Sequence, residues 1–213
     1  MSTEKPRRRH TGDGLFIVGL VGRAGSGKST IARAWAGEGV PIIDADRLGH
    51  EITDTDASVR AALSAEYGDD IYREDGALDR ARVGARVFSD AAARQRLNQL
   101  VHPRILRRIR ERLAEIVARG YRGVVVVDAA LMLDWGFERE CDEVLAVTAP
   151  ESEQVARLVR ARGWSEADAR ARIGAPRPNQ DFAAVADRII HNAGSEAELD
   201  GAAHAELVRL HGL

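Results

Sequence analysis

Apolar, largely β-branched runs recur along the chain without polar alternation: LFIVGLV (15–21), VPIIDA (40–45), GVVVVDAA (123–130), DEVLAVTA (142–149) and ADRIIHN (186–192). Strands covered on both faces read this way, whereas strands with one wet face alternate. Between the runs the apolar spacing changes to three and four. STIARAWAGEG, ESEQVARLVRARG, SEADARARIG and SEAELDGAAHAELVRLHG each predict an amphipathic helix. Strands alternating with helices predict an α/β fold of three layers around a parallel five-stranded sheet.

The interval 47–122 is too long for a simple crossover and holds several helical pieces: ASVRAALSAEYG, LDRARVGARVFS, DAAARQRLNQL and HPRILRRIRERLAEIVARG. In the last of these Pro103 is expected in the first helical turn, where its missing N–H costs nothing. The whole interval is expected to be a helical insertion covering an acceptor site. Residues 155–180 are expected to form a lid of two arginine-rich helices joined at Gly163-Trp164-Ser165, with Ser165 and Asp168 as a capping box. One domain, 14–213, is expected after a basic disordered tail, 1–13.

Composition changes this picture in one place. The chain has 213 residues, 45% hydrophobic and 30% charged, with a net charge of −2. That balance does not suggest a nucleic-acid surface, and the absence of a long apolar run argues against a membrane span. No apolar segment precedes a small-residue cleavage site near the start, so a cytoplasmic location is expected. Cys141 is the single cysteine and is assigned no role. Arginine supplies nearly every cation; the only lysines are Lys5, in the tail, and Lys28. A compact ammonium on a flexible stem suits reaching over a loop to phosphates, so the composition singles out Lys28.

Lys28 lies in GRAGSGKST, directly after the first apolar run. Gly22, Gly27, Lys28 and Ser29 fit G-x-x-x-x-G-K-[ST] between a predicted strand and a predicted helix, the context that makes this pattern a phosphate-binding loop. Gly25 and Gly27 let successive N–H groups face an anion, the helix start adds its positive dipole end, and Ser29 is a magnesium ligand candidate. A merely flexible glycine turn would not require the lysine and hydroxyl at these offsets. Further on, PIIDADRLGHEI places Asp44 and Asp46 two apart on what reads as extended chain, hence on one side at a strand's carboxyl end. A carboxylate there can accept the proton of an acceptor hydroxyl. The alternative for either residue is a helix N-cap or a hold on magnesium through water. Asp128, after four valines, ends its strand in a Walker-B-like position, where a carboxylate can hold magnesium through water or position the acceptor.

These residues resemble the dephospho-coenzyme A kinases. The resemblance rests on GRAGSGKST, IDAD, LNQLVHPRI, VDAALMLDWGF, ESEQVARL and ADRIIHNAGS, in that order, over roughly residues 15–210. It implies a P-loop kinase that uses ATP and Mg²⁺ to phosphorylate the ribose 3′-hydroxyl of dephospho-CoA. Gly25, Ser26, Gly27, Lys28, Ser29 and Thr30 would hold the ATP phosphates. Asp46 would be the catalytic base with Asp44 beside it, and His102-Pro103 would open a helix bordering the acceptor site. Arg104, Arg107 and Arg108 share a helical face that suits a pyrophosphate, or is simply a solvated face. Arg157 and Arg160 share another face that can neutralise the transferring phosphoryl group, with Arg162 elsewhere. Asn192, by resemblance, lies near the adenine end. The chain departs from the family's usual residues at Arg23, Ala130, Asp134, Ala161, Pro176 and Phe182. The lid departures leave open a related kinase for another small alcohol, or a nucleotide-binding module without turnover. The guanine-reading N-K-x-D motif is missing, so a GTPase switch is not expected.

Overall fold

The structure is a computed structural model that describes residues 14–88, 90–174 and 178–212. The basic tail 1–13 and Pro176 lie outside the described residues. The described chain divides into two compact units, one formed by residues up to Ile43 and from Ala114 onward, the other by Asp44–Leu113.

The first unit holds the sheet. Its strands are β1 (Leu15–Val21), β2 (Ile42–Asp44), β3 (Gly123–Asp128), β4 (Glu143–Thr148) and β5 (Arg188–His191), in the order β2-β3-β1-β4-β5. β1 runs parallel to β3, with Leu15 opposite Gly123, and to β4, with Val18 opposite Glu143; β4 in turn runs parallel to β5. β1 thus stands where the strand order reverses, with β3 and β2 on one side and β4 and β5 on the other, and the turn after it sits where parallel sheets bind ligands. Continuous burial along β1, β3 and β4 is the physical reason these strands read as unbroken apolar runs.

Two helices cover one face of the sheet, α1 (Lys28–Gly37) and α10 (Glu196–His211). Ile31 and Trp35 from α1 meet Leu199, Ala203 and Leu207 from α10 over Val18, Leu20, Val126 and Leu145. Trp35 is fully buried, and its indole N–H donates to the Ala203 carbonyl at 2.8 Å. α10 begins with a capping box between Ser195 and Glu198. On Gly19 a β-carbon would come within 2.6 Å of Met132 Sδ and 2.9 Å of Cys141 Sγ. Cys141 is therefore a buried packing residue.

The second unit is helical: α2 (Ala45–Thr55), α3 (Ala57–Tyr67), α4 (Arg80–Phe88) and most of α5 (Ala91–Ala118). Asp56 ends α2 and caps α3, accepting from the N–H groups of Ser58 and Val59. Two expectations are corrected in this unit. Pro103 does not open a helix but lies inside the 28-residue α5. Its missing donor and ring cost about 3 kcal/mol in a helix interior. Burial of Val101, Ile105 and Ile109 at four-residue spacing on both sides of the proline offsets this, and the Arg104 guanidinium donates to the Leu100 carbonyl at 2.7 Å. Nor do Asp44 and Asp46 share an extended segment. β2 ends at Asp44, whose carboxylate accepts from the Arg47 N–H at 3.0 Å and caps α2, so Asp46 falls in the first helical turn.

The remaining helices belong to the first unit: α6 (Met132–Trp135), α7 (Glu151–Arg162), α8 (Glu166–Gly174) and α9 (Asn179–Val185). Gly163 closes α7 in the left-handed conformation. Ser165 Oγ accepts from the Asp168 N–H and donates to its carboxylate at 2.6 Å, so the expected cap at the start of α8 is present in a hydroxyl-to-carboxylate form.

Candidate active site

The turn from β1 into α1 is a glycine-built cradle. Gly22, Gly25 and Gly27 have φ of +145°, +75° and +108°, values that favour residues without a β-carbon. Space forbids a side chain as well. A β-carbon would lie 2.3 Å from the Val147 carbonyl oxygen at Gly22, 2.7 Å from that of Gln154 at Gly25, and 2.5 Å from Asn192 Nδ2 at Gly27. Gly27 caps α1 without a side-chain hydrogen bond, so no capping side chain covers the N–H groups that open the helix at its positive end. An anion with several oxygens fits such a surface.

Four polar side chains frame the cradle. Lys28 Nζ lies 3.5 Å from Asp128 Oδ1 at the end of β3, both side chains being largely buried. Asn192, after β5, is buried and donates from Nδ2 to the Ser26 carbonyl at 2.8 Å. Arg157, on α7, donates to the Gly25 carbonyl at 3.4 Å and to Asn192 Oδ1 at 3.1 Å. Loop, α7 and the residue after β5 are thus knitted by hydrogen bonds between residues remote in sequence. Ser29 is exposed in the first turn of α1.

The structure sorts the expected residues. Gly22, Gly25, Ser26, Gly27, Lys28, Arg157, Asn192 and Asp128 come together; Thr30 sits in the first turn of α1, its N–H bonded to the Gly27 carbonyl. Arg160 is exposed and has no hydrogen bond or ion pair among the described residues. Asn192 holds the loop's backbone, a role its type did not announce. Gln154 was missed: wholly buried, it donates to the Ala149 carbonyl at 2.7 Å while its backbone abuts Gly25. Asn179, at the start of α9, donates to the same carbonyl at 3.2 Å. Gln154 stands three residues before Arg157 and so shares its helix face, the one available signal.

In the second unit Asp44 and Asp46 are both exposed. Arg104, Arg107 and Arg108 line a pocket of about 270 Å³ with Glu51, Asp56 and Glu111. Arg108 lies 3.2 Å from Glu111 and 3.8 Å from Glu51, and Arg107 lies 3.6 Å from Glu111, so neighbouring carboxylates balance the cations. The Ser58 hydroxyl, the Val59 N–H and more distantly Arg104 hold the Asp56 carboxyl below its usual range. His102 does not line this pocket.

The donor set is compatible with magnesium. Ser29 and Asp128 offer only oxygen, and this hard cation takes few protein ligands, keeping water and phosphate oxygens for the rest.

A central parallel sheet whose first strand turns through this cradle into a helix, with Lys28 at the turn, is the fold of a P-loop phosphotransferase. The sequence profile of the dephospho-CoA kinases matches residues 16–198, and the chain belongs to that family. A relative from Thermobifida fusca named dephospho-CoA kinase is 41% identical over 187 residues, 87% of this chain and 92% of its own length. The crystal structure of a protein from Thermus thermophilus superposes with a TM-score of 0.77 at 29% identity, covering 92% of this chain and 98% of the other. The solved structure of the dephospho-CoA kinase from Campylobacter jejuni gives 0.63 at 20% identity, over 93% and 99% of the two chains, a likeness of fold.

Proposed function

We propose that the chain transfers the γ-phosphoryl group of ATP to the ribose 3′-hydroxyl of dephospho-CoA, releasing CoA and ADP. The observation that carries this reading is the cradle of Gly22, Gly25 and Gly27 with Lys28 and Arg157 at its rim, in a chain of the dephospho-CoA kinase family. The triphosphate lies along the loop backbone from Gly25 to Ser29. Lys28 and Arg157 bring positive charge to the oxygens whose charge changes as the acceptor oxygen bonds to γ-phosphorus and the bond to the β,γ-bridging oxygen breaks. Asp46 takes the proton of the acceptor hydroxyl, and Asp44, engaged as the cap of α2, holds that turn in place. Arg107, the most exposed cation of the pocket in the second unit, is offered to the acceptor's diphosphate. Ser29 and Asp128 would hold Mg²⁺, which supplies charge neutralisation between the phosphates when bound.

An ADP-release assay with ATP and Mg²⁺ across dephospho-CoA, adenosine, AMP and shikimate tests the reading, with Asp46→Asn beside the parent. Turnover with dephospho-CoA alone is expected, falling about 10²–10⁴-fold in Asp46→Asn while ATP affinity holds. Turnover with another alcohol, or none with dephospho-CoA, would overturn it.

A further inference from the structure

Arg23 is the second residue of the phosphate loop, and its side chain is only 11% exposed. Its guanidinium reaches the far end of α8, where Nε and Nη2 both donate to the Ile173 carbonyl, at 3.1 and 2.5 Å. Nη1 lies 3.8 Å from Glu151, the first residue of α7. The Ile173 carbonyl belongs to the last turn of α8, where carbonyls lack helical partners and the helix presents its negative end. A cation donating two N–H groups there makes a charge-assisted contact of the stronger kind.

α8 packs on α7 through a small apolar cluster of its own, Val155, Ala169 and Ile173, with Leu158 and Val159 against it. α7 in turn carries Arg157, which donates to the Gly25 carbonyl. The helix pair is therefore registered on the phosphate loop by two reciprocal contacts only two loop residues apart. A loop side chain donates to α8, and an α7 side chain donates to the loop's backbone. We infer that Arg23 is a positioning residue that seats the α7–α8 pair on the phosphate loop, and through it raises the affinity for a nucleoside triphosphate that Arg23 itself does not touch. A lid already seated on the loop binds its ligand without meeting the cost of ordering first. Removing Arg23 does not strand a charge, because Glu151 is half-exposed and keeps Arg170 at 3.6 Å.

The affinity part of this inference rests on the loop being the ATP site; the seating part does not. The test is amide hydrogen exchange over residues 166–174 in the full chain without nucleotide, together with steady-state kinetics, for Arg23→Gln and Arg23→Lys. For Arg23→Gln, α8 is expected to exchange at least about tenfold faster, with KM for ATP rising about tenfold and KM for dephospho-CoA steady. Arg23→Lys keeps the charge but not the planar fork and is expected to stay closer to Arg23→Gln than to the parent. Unchanged exchange in α8 overturns the seating whether or not the chain turns over dephospho-CoA. Full rescue by lysine would show that a point charge suffices, and a parallel rise in both KM values would show a general defect; either result overturns the inference. Inactivity of the parent toward dephospho-CoA counts against the proposed function and leaves the exchange result to decide the latch.

Discussion

Replacing Asn192 by alanine should destabilise the protein in the absence of any nucleotide. Asn192 is 6% exposed and joins two partners, donating to the Ser26 carbonyl at 2.8 Å and accepting from Arg157 at 3.1 Å. Truncation leaves the Ser26 carbonyl beneath the loop without its donor, at about 1–3 kcal/mol for an unsatisfied buried group. Arg157 loses less, about 0.5–1 kcal/mol, because its side chain is 25% exposed and water takes over the donor. The sum is about 1.5–4 kcal/mol, to be read from urea denaturation with far-UV circular dichroism, comparing midpoints at constant slope. Because both residues hold one network, the double variant with Arg157→Ala should be non-additive by about 0.5–1.5 kcal/mol. Asn192→Asp separates the two contacts further. It keeps an acceptor for Arg157 but turns a carboxylate oxygen toward the Ser26 carbonyl, so it should be no more stable than the alanine variant. If Asn192 served the nucleotide alone, stability without nucleotide would be unchanged. A loss below about 0.5 kcal/mol with an additive cycle would therefore refute the clamp.

Gly25→Ala puts a β-carbon at φ +75° and 2.7 Å from the Gln154 carbonyl oxygen, against backbone that has no side chain to swing aside. The left-handed conformation alone costs about 1–2 kcal/mol, and calorimetric titration should show ATP affinity falling more than about tenfold; parent-like affinity would refute the close fit. Glu143 gives a pH dependence. Burial holds its carboxyl above the usual range, with the paired Arg209 guanidinium pulling the other way. A raised folded-state pKa contributes stability below the unfolded value of about 4.3 and loses it as pH rises through the folded value. The Tm difference between Glu143→Gln and the parent should thus shift toward the variant from pH 4 to 7.5, and a constant difference would contradict this.

The strands were legible because sandwiching between helices demands apolar residues on both faces, and Val124 to Val127 meet that demand without interruption. Even β5, where Ile190 alone of four residues is buried, was legible from its short β-branched pair. Local rules failed where a longer-range interaction overrode them. Pro103 carries a sound signal for a helix start, yet the apolar residues at four-residue spacing across it continue the helix, and no local preference of proline outweighs that burial. Asp44 is extended, as the apolar run leading to it indicates, but its side chain also caps a helix that follows with no loop between, so the alternation that would set Asp46 beside it stops there.

The residues of the candidate site divide along the same line. The cradle is contiguous in sequence, so its glycines, lysine and hydroxyls were readable from spacing. Its supports are not: Asn192 and Ser26 stand 166 residues apart, and Arg23 and Ile173 stand 150 apart. A contact of that separation leaves no periodicity behind. Residue type must then carry the whole signal, and how much it carries depends on how rare the type is in that chain. With only two lysines in the chain, Lys28 stands out by composition alone. Arg23, one of many arginines, acquires meaning only when the fold brings the end of α8 to it.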